Sequence, residues 1–171
     1  MILIKILKIL KKNILKLKAN NIIHCYKLIS NEYNLNKIKN LNGWSQKSIS
    51  NYIHNPKYIS LGYFQKKKLC AFIISNYIKI NDIFENEILL ICVEKKFRRK
   101  GIGTALISYI INQKKYFNLS SIYLEFSAKN RKAKSFYENC GFKYISLRKK
   151  YYTLNNNKKE DALLYKLEKR T

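Results

Sequence analysis

Apolar and polar positions along this chain switch between a helical period and a strand period, and the switches mark its elements. Ile14 to Leu17 reads as a short strand, and Asn20 or Asn21 is placed to cap a helix running to about Glu32. The polar stretch Asn34 to Asn42 reads as a loop. Ser45, directly after Trp44, stands where an N-cap belongs, and the single proline, Pro56, closes the short helix that follows. From Lys57 the pattern turns to β. Tyr58 to Phe64, Leu69 to Ile80 and Phe84 to Val93 are rich in β-branched and aromatic residues, and Gln65 to Lys68 and Asn81-Asp82 divide them at hairpin-like spacing.

Ile102, Ala105, Leu106, Tyr109 and Ile110 then fall at i, i+3, i+4, i+7 and i+8, the buried face of a helix that opens at two glycines. Ser120 to Ser127 predicts a strand. After it comes a helix with Ala133, Phe136, Tyr137 and Cys140 on one face, ended by Gly141 as a left-handed cap with Phe142 as its apolar follower. Phe142 to Arg148 and Ala162 to Leu167 supply two last strands. With 171 residues, 47% of them hydrophobic, and no internal repeat, the pattern predicts one domain. Residues 1–13, rich in Ile, Leu and Lys, form an N-terminal extension to it. They suit either a basic amphipathic segment lying on a membrane surface or an extra terminal turn, and they lack the Arg and Ser of a transit peptide.

The formal net charge of +25 raises the prospect of nucleic acid or an anionic surface as partner. The charge is mostly lysine spread along the whole chain among abundant Ile, Asn and Tyr, so a solvated lysine surface is the expectation and no stable nucleic-acid or membrane partner is predicted. Cys25, Cys70, Cys92 and Cys140 form no C-x-x-C pair and sit in apolar runs, which suits buried thiols in a reducing compartment rather than disulfides or a metal site. No run of eighteen apolar residues and no signal peptide is present, so a cytoplasmic location is expected.

The chemistry begins at Arg98-Arg99-Lys100-Gly101-Ile102-Gly103-Thr104, where two glycines open a helix directly after three cations. Glycine lets a phosphate approach the backbone closely, the first-turn N–H groups point at it, and the helix dipole favours its charge. The alternative is a helix start beside solvated cations. There is no G-x-x-x-x-G-K-[ST], and Leu106 stands where the dinucleotide fingerprint needs a third glycine, so neither familiar nucleotide loop fits. Glu125 is a carboxylate within an otherwise apolar strand. Ile122, Leu124 and Phe126 share one face, which turns Glu125 to the other with Tyr123 and Ser127, either for a structural ion pair or for chemistry. No G-x-S-x-G elbow is present, and neither His24 nor His54 shares a motif with a cysteine, so covalent catalysis lacks support.

Arg98 to Gly103 resembles the R/Q-x-x-G-x-G/A pyrophosphate signature of the GNAT superfamily of acetyl-CoA-dependent N-acetyltransferases. From about Ile14 onward the chain is most similar to the bacterial ribosomal-protein-alanine N-acetyltransferase (RimI) family. Trp44-Ser45, Ile91-Cys92-Val93, Tyr123-Leu124-Glu125, Asn130, Phe136-Tyr137-Glu138, Cys140-Gly141-Phe142, Arg148 to Tyr152 and Glu160-Asp161-Ala162 follow that family's order and spacing. Phe126-Ser127 and Thr153 depart from it, where the family commonly has V-R and a proline.

The resemblance implies one α/β GNAT-type domain over 14–171, a mixed, largely antiparallel sheet flanked by helices, holding the donor where two neighbouring strands part. It implies acetyl-CoA as donor, no metal, and cofactor contacts from Ile91, Cys92, Val93, Arg98, Arg99, Lys100, Gly101, Ile102, Gly103, Thr104 and Asn130. Glu125 becomes the general base and Tyr137 the acid that protonates the departing thiolate, although periodicity alone makes Tyr137 a core aromatic. The implied acceptor is a protein N-terminal amine, that of a small-subunit ribosomal protein beginning with alanine, modified by a monomeric enzyme. Two alternatives stay open: a GNAT acting on another N-terminus, a lysine or a small amine, and a basic nucleic-acid-binding module on a degenerate GNAT fold.

Overall fold

The computed structural model describes residues 9–33, 44–113, 118–154 and 157–168. In chain order its elements are β1 (Ile14–Lys16), a 3-10 turn (Ala19–Asn21), α1 (Ile22–Tyr33), α2 (Gln46–His54), β2 (Tyr58–Gln65), β3 (Lys68–Ile80) and β4 (Ile83–Val93). A second 3-10 turn (Lys95–Phe97) leads to α3 (Ile102–Ile111), followed by β5 (Leu119–Ser127), α4 (Arg131–Asn139), β6 (Lys143–Thr153) and β7 (Lys159–Glu168). All seven strands lie in one sheet of order β1-β2-β3-β4-β5-β7-β6. Only β4 and β5 run parallel, joined by the α3 crossover; every other neighbouring pair is antiparallel. The mixed, largely antiparallel α/β sheet expected from the sequence is the fold observed.

Most boundaries follow from local chemistry. Ser45 caps α2, its hydroxyl accepting from the Ser48 N–H at 3.1 Å. Cys140 and Gly141 end α4: the Gly141 N–H reaches the Glu138 carbonyl at 2.9 Å, and the Phe142 N–H reaches that of Tyr137 at 3.0 Å, with Gly141 at φ 92°. The asparagines before α1 act differently from the expectation. Asn21 sits inside the first turn, and its side chain accepts from the Lys18 N–H at 2.8 Å, so the entry turns one step earlier, as 3-10. The last hairpin is longer than its apolar pattern, because β6 and β7 keep pairing beyond an irregularity between Arg148 and Tyr152, where Lys150 adopts φ 54°. The expected loop over 34–42 lies outside the described residues, as do residues 1–8.

The sheet is covered on both sides. α3 and α4 bury Ile102, Ala105, Leu106, Ile107, Ile110 and Tyr137 against one face, on Ile73, Ile88, Ile122 and Leu124. Helices α1 and α2 bury Cys25, Ile29, Ile49 and Ile53 against the other face, on Phe72, Ile74, Leu90 and Cys92. β3 is thus buried on both faces, which is why its sequence from Leu69 to Ser75 reads as a continuous run rather than an alternation. Among the described residues no helix is long and apolar enough to cross a membrane.

Candidate active site

One irregularity opens the sheet. β3 pairs Ile74 with Leu90 and Ser75 with Ile88, so Leu89 is an extra residue in β4. A bulge of this kind bends the strand and increases its twist. Its mark is in the packing: Ile88 and Ile91, three residues apart, share the α3 face. Beyond it the parallel pairing of β4 with β5 stops, the last partners being Ile88 and Leu124. Ile91, Cys92 and Val93 then pair only with β3, and Glu125, Phe126 and Ser127 only with β7. A wedge-shaped gap with backbone edges results between Leu89 to Val93 on one side and Glu125 to Ser127 on the other.

The predicted cradle lies at the top of that gap. Gly101 takes φ 75° and N-caps α3 without any side-chain cap, and Arg99 before it takes φ 62°. The first intrahelical bond is Ala105 N–H to the Gly101 carbonyl at 2.9 Å, so the N–H groups of Ile102, Gly103 and Thr104 precede the ladder and point out of the helix end. Gly103 is small for a separate reason: a Cβ there would come within 2.8 Å of Phe136 Cζ. The first turn of α3 therefore packs backbone to ring against α4, with Thr104 Oγ1 3.8 Å from Cys140 Sγ. Arg99 and Lys100 are exposed beside this helix end. The Arg98 guanidinium turns away, donating to the Val93 carbonyl at 3.0 Å and pairing with Glu32. Glu32 also accepts from the Lys95 N–H at 2.9 Å, and so ties the cradle to α1. Asn130 is the N-cap of α4, its side chain accepting from the Ala133 N–H at 3.0 Å.

Two sequence-singled residues approach the gap from opposite faces. Tyr137 lies on the α3–α4 side within a cage of Phe126, Phe136 and Phe142, with ring centroids 5.1–5.7 Å apart. Burial pushes its phenol well above the usual range, so it holds its proton. Glu125 lies on the opposite face, half-buried, with Arg148 Nη1 2.6 Å from its carboxylate. Tyr152 joins the two: its phenol is raised by burial and then by the charge of Glu125, and Tyr137 senses Tyr152 in turn. The half-buried Tyr33, at the end of α1, donates to the Ile91 carbonyl at 2.5 Å and also senses Tyr137. Cys92 is buried among α1 and α2 residues, and burial pushes its thiol far up, which removes it as a nucleophile. His24 and His54 are exposed on α1 and α2 and bond only to their own helix or its entry turn. Among the described residues no group of three or more His, Cys, Asp or Glu could hold a metal.

Sequence reasoning missed Glu32, Tyr33 and Glu87, and gave Arg148 and Tyr152 no role. Arg148 reaches Glu125 only because β7 lies between β5 and β6, with Ser127, Ala162 and Arg148 in register. Glu160 and Asp161 serve the frame: Glu160 accepts from Ser127 at 2.7 Å and Lys129 at 2.9 Å, and Asp161 accepts from the Lys150 N–H at 2.7 Å.

Comparison with known proteins agrees with this architecture. Residues 60–144 match the family model of the acetyltransferase (GNAT) domain. The chain is 27% identical over 124 residues to the [ribosomal protein bS18]-alanine N-acetyltransferase of Escherichia coli (strain K12), covering 72% of this chain and 80% of that protein. The crystal structure of the ribosomal-protein-S18-alanine N-acetyltransferase from Escherichia coli matches with a TM-score of 0.72 at 24% identity, covering 91% of this chain and 92% of that one. That of Arabidopsis thaliana NAA60 in complex with acetyl-CoA matches with a TM-score of 0.76 at 15% identity, over 91% and 97% of the two chains. By its matched domain and its fold, this chain belongs to the GNAT acetyltransferases.

Proposed function

We propose that the protein transfers the acetyl group of acetyl-CoA to the α-amine of a protein N-terminus, that of a ribosomal protein beginning with alanine. The observation that carries the reading is the convergence of Glu125 and Tyr137 on one gap from opposite faces, beside a glycine-opened helix end. The parts suit the donor. The uncapped N–H groups of Ile102, Gly103 and Thr104, with Arg99 and Lys100 beside them, match a pyrophosphate. The β4 edge at Ile91 to Val93 has no β5 partner and leads to Glu125 and Tyr137, so an extended amide-bearing chain can lie along it beside the Ile91 and Val93 carbonyls that Tyr33 and Arg98 already hold.

Glu125 then takes a proton from the acceptor ammonium, directly or through water, and frees the nitrogen for attack on the thioester carbonyl. An α-amine, which ordinarily titrates at about 7.7–8.0, needs far less help than a lysine at about 10.4. The backbone N–H of Val93, which alternation along the β3–β4 pair turns away from β3, is the proposed donor to the charge that develops on the carbonyl oxygen, whereas that of Cys92 is turned to β3. As the C–S bond breaks, Tyr137 gives its proton to the sulfur. Its buried, protonated phenol suits that task, and Tyr152, which senses the charge of Glu125 and is sensed by Tyr137, is the group proposed to return a proton. The relatives' acceptor is the source of the alanine assignment. Peptides with N-terminal Ala, Ser or Met, a blocked N-terminus, or only a lysine test it. Acetylation strongest on the Ala peptide, and absent from the blocked one, is the expected outcome; acetylation confined to lysine would overturn the acceptor.

A further inference from the structure

Glu87 has entered neither motif nor mechanism. It stands on β4 directly opposite Tyr123 of β5, one pleat before the strands part, and Glu125 is the next β5 residue on the same face. It is half-buried. Its backbone is paired in the sheet, but among the described residues no hydrogen bond or ion pair holds its carboxylate. Its neighbours are otherwise committed: Glu85 accepts from the Tyr123 hydroxyl at 3.1 Å, and Lys166 pairs with Glu168 at 3.0 Å. What faces Glu87 is Glu125 and Arg148. Burial and then the charge of Glu125 push its carboxyl up, and Arg148 opposes them.

The charge on this face does not balance within the protein. Two carboxylates, Glu87 and Glu125, share one guanidinium, and that guanidinium lies 2.6 Å from Glu125. A half-buried carboxylate beside a second one raises the free energy of the fold unless a cation joins it. We propose that Glu87 is the counter-charge for the acceptor's α-ammonium and determines the site's preference for a free, charged N-terminus. The inference rests on the reading of the Glu125 face as the acceptor side. With Glu87 present, the ammonium binds without displacing Arg148, and the complex holds two carboxylates and two cations. After transfer the nitrogen belongs to a neutral amide, Glu87 has lost its partner, and the product leaves. Glu87 thus acts on acceptor binding, while proton transfer stays with Glu125.

The test compares wild type, Glu87→Gln and Glu87→Asp on one short Ala-starting peptide, free and N-acetylated. Transfer kinetics are measured with acetyl-CoA, and peptide binding is measured on the CoA-loaded enzyme. Expected for Glu87→Gln is a KM for the free peptide raised on the order of tenfold, as for loss of one charge-assisted contact, with kcat within about twofold. Affinity for the acetylated peptide should not move, Glu87→Asp should recover part of the loss, and the unliganded variant should melt no lower than wild type. An unchanged KM, or a loss confined to kcat, overturns the assignment of Glu87 while the acceptor reading stands. A wild type that binds free and acetylated peptide equally overturns both.

Discussion

Two glutamates of this sheet have opposite surroundings, and their titration should move stability in opposite directions. Glu160 is held below the ordinary carboxylate range, first by its hydrogen bond from Lys129 and then by that from Ser127. A carboxyl lowered on folding adds stability above its unfolded value of about 4.3, and that stability is lost as pH falls through the folded value. Glu160→Gln should therefore be less stable than wild type at neutral pH, with the difference closing in acid; denaturant titrations from pH 7 down to about 3 would show it. Glu87 is raised, so its ionised form costs stability at neutral pH, consistent with a residue retained for binding. Glu125 was legible as a candidate because Ile122, Leu124 and Phe126 are buried in alternation with it. Its Arg148 partner was not, since that pairing needs the strand order β5-β7-β6, which nothing local encodes.

At the scale of elements, the bulge at Leu89 does most to shape the site. The sequence hides it, because Ile88 to Cys92 is apolar throughout and any one of these residues could be the extra one. The helix that follows was legible, since two glycines and a 3.6-residue period fix its start and its buried face. Gly101 meets a backbone demand at φ 75°, whereas Gly103 meets a packing demand from Phe136. That difference is testable. Gly103→Ala brings a Cβ against the ring next to Tyr137, pushing α4 away from the cradle, and should weaken acetyl-CoA binding by roughly tenfold, about 1.4 kcal/mol by calorimetric titration. Unchanged affinity would show that α4 can move without disturbing the helix end.

Across the whole molecule, the fold suits the geometry of the proposed reaction, in which a base at the acceptor nitrogen and an acid at the departing sulfur reach one carbonyl centre from opposite faces of the sheet. A two-faced sheet does this by parting two strands, so that Tyr137, among the α3–α4 residues, and Glu125, on the α1–α2 face, meet the same gap. The charge follows the same logic. In a chain of net charge +25 with ten carboxylates, Glu85, Glu87 and Glu125 gather on one face of the β4–β5 pair, beside Arg148 and Lys166. Composition reported the sum and missed this clustering, because burial and register decide where charges gather. The most direct measurement is the rate of acetyl transfer from acetyl-CoA to an Ala-starting peptide by wild type, Glu125→Gln and Tyr137→Phe. The account predicts transfer to the α-amine by wild type and kcat lowered roughly 10²–10⁴-fold in each variant with acetyl-CoA affinity kept, since both side chains act on protons. Transfer that survives both substitutions at the wild-type rate would contradict it.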